Sequence, residues 1–116
     1  MESDHPVSGA AKEGETPDVE RLYLAQCLRD ETMGESIAQV LTAGAGGGKR
    51  PLVISINGAF HSDFGDGLVD RVRRRLPDKR LLVLSLQPAG GLDSIAPGAD
   101  ERKRADYLVY VLAETP

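Results

Sequence analysis

The segment Pro51 to Gly67, PLVISINGAFHSDFGDG, constrains this chain more than any other. Leu52 to Ile56 is an apolar, β-branched run and predicts a strand. Its exit carries Asn57, Gly58, His61, Ser62 and Asp63 within a few residues, and an amphipathic helical pattern follows. In an open α/β sheet, ligands bind outside the carboxyl ends of the strands. The exit is therefore the candidate site.

Further apolar runs, Leu81 to Leu86 and Tyr107 to Leu112, predict two more strands. All three runs are nearly continuously apolar, the pattern of strands covered on both faces in a parallel sheet. Strand, helix and strand over Leu52 to Leu86 would form one right-handed βαβ unit. Asp63 to Leu76 is the helix of that unit, with an inward stripe of Phe64, Leu68, Val69, Val72 and Leu76. The fold class expected is α/β, a short largely parallel sheet with flanking helices, part of a larger α/β domain. Asp18 to Ala43 reads as a long helix, capped by Asp18 and ended by the AGAGGGKR loop from Ala43 to Arg50. That loop does not match G-x-x-x-x-G-K-[ST] and precedes a strand, so it is no phosphate loop. Residues 1–17 read as a disordered segment or linker, and 18–116 as one domain. The connection from Pro88 to Ala105 is long and irregular, fitting either a binding loop or a surface excursion.

Composition narrows the function. With 116 residues, 41% apolar and 28% charged, the chain can bury one modest core. A net charge of −4 argues against a general nucleic-acid binder. The basic run Arg71, Arg73, Arg74 and Arg75 reads as a solvated helix face. Cys27 stands alone, so no intrachain disulfide forms. Neither a membrane span nor a secretory signal is visible. As written the chain is expected in the cytoplasm, or at the cell envelope if it is part of a longer protein.

The first helix carries an inconsistency. Gln26, Asp30, Met33, Ile37, Val40 and Leu41 form one stripe, and its C-terminal half is apolar. Gln26 and Asp30 therefore lie on the face that should meet the sheet. Leu24, Leu28, Glu31 and Glu35 lie opposite. Burying an unpaired polar group costs about 1–3 kcal/mol. Both residues thus either project into water, make structural hydrogen bonds, or line a cleft that receives His61.

At the strand exit, Ser62 or Asp63 caps the following helix, and Gly65 and Gly67 weaken its first turn. Free N–H groups at that helix start would suit an anion. His61, in a turn, is a candidate metal ligand, general base or hydrogen-bond donor. A lone His makes no zinc site, and there is no H-E-x-x-H or Cys/His cluster. Ser55, Ser62 and Ser85 lack a G-x-S-x-G elbow.

AQCLRDETMGESIAQVL (Ala25 to Leu41) followed by ISINGAFHSDFGDGLVDRVRRRLP (Ile54 to Pro77) resembles the ChaN-like haem-binding uptake family. That family belongs to a superfamily with the TIKI metalloproteases and TraB-like proteins. The resemblance runs from about Leu22 to Leu86. The superfamily pattern has two G-x-x-H motifs, and Gly58-Ala59-Phe60-His61 is similar to the second. The first has no upstream counterpart, since His5 is not preceded by Gly at that spacing. The chain is therefore expected to be the C-terminal portion of such a domain or a truncated homologue. The resemblance implies haem or iron handling in bacteria, with haem held between subunits. Carried onto this sequence, it implies His61 as the motif residue and metal ligand. Asn57, Gln26, Asp30 and Asp63 are neighbours in the ligand cleft. Tyr23 is a weaker candidate for iron. The propionates would use the helix start at Asp63 or the arginine-rich face. The expected function is binding of haem or an iron complex, not catalysis. The alternatives are a metal-dependent hydrolase using a divalent ion with His61 and Asp30 or Asp63, and a non-catalytic remnant that packs on a partner.

Overall fold

The computed structural model describes residues 18–113, so the linker expected over 1–17 lies outside the described residues. The element order is α1 (Val19–Gly44), α2 (Ala59–Ser62), a 3-10 turn (Asp63–Gly65), α3 (Leu68–Arg75), β1 (Leu84–Ala89), α4 (Ala99–Arg102) and β2 (Tyr107–Leu112). β1 and β2 form a two-stranded parallel sheet, in register from Leu84 opposite Tyr107 to Ala89 opposite Leu112. The chain is thus mixed helix and strand, with a short parallel sheet and flanking helices.

Local chemistry explains α1. The Asp18 carboxylate accepts from the Glu20 N–H at 3.1 Å, so the expected cap is present. The helix runs one residue beyond the expected end, to Gly44, and the glycines after it take positive φ at Gly47 and Gly48. Its 26 residues span about 39 Å, against about 12 Å for the 8 residues of α3. Only part of α1 can pack on α3. Leu22, Leu24, Leu28 and Val40 are exposed, whereas Met33, Ile37 and Leu41 are half-buried.

The two helices meet at Gly34. A Cβ there would lie 2.9 Å from the Arg71 Cβ, so the missing side chain permits the close approach. Glu31 stands beside this contact. It accepts from Arg71 Nε at 3.2 Å and Arg75 Nη2 at 2.6 Å. Arg75 above all, and then Arg71, hold its carboxyl below the usual carboxylate range. Glu31 therefore faces α3, not the opposite side of the helix. Two arginines of the basic run are interface residues, not a purely solvated face.

Three expectations fail. The helix expected over Asp63 to Leu76 is split, because Phe64, Gly65 and Gly67 take φ of 63°, 72° and 56°. Three left-handed residues out of four cannot continue a right-handed helix. Phe64 consequently leaves the inward stripe and is exposed, while Leu68, Val69 and Val72 are buried as expected. Together with Val83 they are the buried apolar core among the described residues.

Next, Leu52 to Ile56 joins no strand ladder among the described residues. Leu52, Ile54 and Ile56 are 84%, 77% and 94% exposed. Propensity favours an extended backbone, but a strand needs a hydrogen-bonded neighbour, and none is placed beside this one. The parallel crossover accordingly joins β1 to β2 through the one-turn α4, not Leu52 to Leu86.

Last, β1 begins three residues later than expected and the strands are not covered on both faces. Leu84, Leu86, Tyr107, Val109 and Val111 are exposed, with Ser85 buried on the other side. The late start has a local cause. The Val83 N–H donates to the Asp106 carboxylate at 2.7 Å, and the Val83 carbonyl accepts from Asp106 and Tyr107. This clamp pins the register where the ladder starts. β2 occupies its expected bounds.

Candidate functional site

Gln26 and Asp30 sit one turn apart on α1, and α2 crosses that face. Gln26 Nε2 donates to the Phe60 carbonyl at 3.1 Å, tying the crossing segment to the helix. The next residue, His61, then lies over the next turn. Its Nδ1 is 2.6 Å from Asp30 Oδ1. Asp30 is 2% exposed and His61 7%. Of the three options open for the polar stripe, the structure shows pairing, with Asp30 and His61 satisfying each other.

An ionised carboxylate only accepts hydrogen bonds, so Nδ1 is the donor. In the neutral ring the remaining lone pair then lies on Nε2. That atom has no hydrogen-bond partner among the described residues and is not fully enclosed. The Phe60 ring lies beside it, with centroids 4.2 Å apart and planes tilted by 44°. Phe60 is itself largely exposed, an aromatic surface next to the free nitrogen.

Gly67 closes the pair from above. A Cβ there would meet the His61 carbonyl oxygen at 2.7 Å and Asp30 Oδ2 at 3.0 Å. Its φ of 56° and ψ of −121° lie where glycine is at home and other residues are strained. Arg71 Nη1 donates to the Gly67 carbonyl at 3.3 Å, so the interhelical arginine also holds this turn. In sequence, Gly65 and Gly67 read only as weakening the first helical turn, not as a positive-φ break. Phe60 falls within the G-x-x-H motif and Arg71 within the basic run, but sequence assigns neither this position.

The other predicted residues fall elsewhere. Asn57 pairs with Ser55, Nδ2 to Oγ at 3.4 Å, and its Oδ1 is enclosed without a partner. It is not joined to the Asp30–His61 pair by any hydrogen bond. Asp63 belongs to a separate cluster. Its carboxylate accepts from Ser85 Oγ at 2.8 Å and Arg104 Nη1 at 2.6 Å. Arg104 also lies 5.0 Å over the Phe64 ring, and its carbonyl accepts the Phe64 N–H at 2.6 Å. These contacts tie the 3-10 turn to β1 and to the residue run before β2. Neither the Asp63 nor the Ser62 side chain caps α3, which starts after Gly67. At Asp63, the expected helix start, the carboxylate is engaged and only a 3-10 turn begins, so the start of α3 lies after Gly67 instead. Ser85 donates to a carboxylate and has no histidine base. Tyr23 is exposed on α1, and the Cys27 thiol beside it holds its phenol above the ordinary range.

Among the described residues no group of three or more His, Cys, Asp or Glu could hold a metal ion. A divalent ion held by protein ligands alone typically needs at least that many. No helix among the described residues is long and apolar enough to cross a membrane.

A mixed helix and strand domain with a buried Asp–His pair, one ring nitrogen left free, is what the fold and site define. The chain belongs to the family described as haem-binding uptake, Tiki superfamily, ChaN, whose family model matches residues 2–72. A curated protein of Arabidopsis thaliana, Protein RETICULATA-RELATED 5, chloroplastic, is 34% identical over 89 residues. That match covers 77% of this chain and 12% of the plant protein, so the chain spans a small part of its relative's length. No solved structure matches.

Proposed function

We propose that this chain binds haem, or a related iron complex, through His61 Nε2, in the service of haem or iron handling. The observation that supports this most is the Asp30–His61 pair. A metal-ligating His almost always donates its other ring N–H to a carboxylate or carbonyl, which fixes the ring and raises its basicity. Haem brings its own equatorial nitrogens to the iron, and asks of a protein an axial donor. A single histidine suffices for that ligand, whereas it does not suffice for a bare divalent ion. The metal-dependent hydrolase reading lacks this support.

Asp30 holds the His61 ring in one orientation with Nδ1–H committed. Gln26 fixes the backbone of Phe60 and so the entry of His61 onto α1. Phe60 offers an apolar ring to a flat ligand. Of the arginine-rich face, Arg71 and Arg75 are engaged by Glu31 and Arg74 by Asp70 at 2.7 Å, which leaves Arg73 for a propionate. For location, the reading keeps the cytoplasm or cell envelope. The plant relative's name says chloroplastic of that protein, and a fluorescent fusion in cells separates these compartments.

A haem titration followed by visible absorption tests the reading. The wild type is expected to give a saturable Soret shift, and His61→Ala to weaken it at least tenfold. An unsaturable, non-specific response in the wild type would refute haem binding by this chain.

A further inference from the structure

The loop after β1 borders an open depression of about 400 Å³ that the haem reading does not use. Its floor is the C-terminal end of β1 at Ala89 and Tyr110 of β2, and its rim is Gly90, Gly91 and Ser94. The apolar run 95–97 forms one wall, and Glu101 of α4 stands at the polar end. It lies outside the carboxyl ends of parallel strands, where ligands of open α/β sheets bind, and its volume falls within the ordinary range for small-molecule sites.

The polar end has a definite charge. Tyr110 Oη donates to Glu101 Oε1 at 2.8 Å, and the second carboxylate oxygen has no hydrogen-bond partner among the described residues. Burial first, and Glu101 next, keep the Tyr110 phenol protonated beyond its ordinary range, so the hydroxyl stays a donor to the carboxylate. Arg102 and Arg104 both lie near enough to act on the Tyr110 phenol, and each is held by a partner within the protein. Arg102 Nε donates to the Pro97 carbonyl, Arg104 Nη1 to Asp63, and Lys103 lies near Asp100. A Cβ at Gly90 or Gly91 would meet nothing within 4 Å, so the rim is open.

We infer that this depression is a binding site for a small organic cation, a primary ammonium group on a short aliphatic chain. The ammonium would donate to the free oxygen of Glu101, and the chain would lie against Ala89 and the apolar wall. Haem propionates, being anionic like Glu101, are the wrong charge for it. The long loop that sequence leaves open between binding and mere excursion is, on this reading, a binding loop.

The test uses the full chain and n-butylammonium chloride as probe, with n-butanol as the neutral control, followed by amide NMR shifts. Saturable shifts at Gly90, Gly91 and Ser94 are expected with the amine. Butanol should bind at least tenfold more weakly. Glu101→Gln retains the acceptor for Tyr110, so the loop stays folded, and should weaken the amine at least tenfold. Tyr110→Phe, which frees the carboxylate to swing, should weaken it severalfold. Absent shifts, equal response to butanol, or an undiminished response in Glu101→Gln would overturn the site.

Discussion

Asp30→Ala is expected to lower the unfolding free energy by about 3 kcal/mol, because it leaves a buried ring donor without its acceptor. That is a large share of the roughly 5–15 kcal/mol by which a domain is stable. The partner cannot escape the loss easily. Gln26 pins the Phe60 carbonyl, so His61 is held over α1 whether or not Asp30 is there. Asp30→Asn keeps an acceptor oxygen and should cost about half as much, since the hydrogen bond remains and only its charge assistance is lost. The two variants also separate structure from ligand binding. In Asp30→Asn the ring is still placed, but Nε2 is less basic, so haem affinity should fall by about tenfold or more with the fold intact. Urea unfolding of the three proteins, followed by haem titration of the two folded ones, reads both effects. An Asp30→Ala midpoint equal to the wild type would mean that the pair is not buried as described.

Gly67→Ala should be the most damaging single methyl group in the chain, at about 3–5 kcal/mol. Two costs add. The backbone at φ 56° and ψ −121° is strained for any residue with a Cβ. The new methyl would also press on the His61 carbonyl at 2.7 Å and on Asp30 Oδ2 at 3.0 Å, neither of which is the tip of a flexible side chain free to move. Gly65 supplies the comparison. Its φ is 72°, but a Cβ there would meet only the end of Arg73, at 3.2 Å. Gly65→Ala should therefore cost about 1–2 kcal/mol, from backbone strain alone. Thermal unfolding of the pair checks the difference; equal losses would show that the overlap with His61 and Asp30 carries no weight.

Much of the site was readable from residue order. The stripe through Gln26, Asp30, Met33 and Ile37 placed two polar groups on the packing face, where Asp30 pairs with His61. The Asp18 cap, the buried face of α3 and the bounds of β2 also follow from local chemistry. The break at Phe64 to Gly67 was not readable, because Gly67 lies against Asp30 and Phe64 is bonded to Arg104, both far away in sequence. Asp63 looks like a cap in sequence, yet Arg104, 41 residues away, takes its carboxylate. Strand pairing is the hardest to read: Leu52 to Ile56 has the composition of a strand as good as β2, and composition says nothing about which neighbour is beside it.

On the proposed reading, His61 Nε2 is the donor to iron. Resonance Raman spectroscopy of the ferrous haem complex addresses it directly. An iron–histidine stretching band in the wild type that disappears in His61→Ala and shifts in Asp30→Asn is the predicted result, the shift reporting the carboxylate's hold on Nδ1. The same band persisting in His61→Ala, or no such band in a wild-type protein that binds haem saturably, would contradict the account.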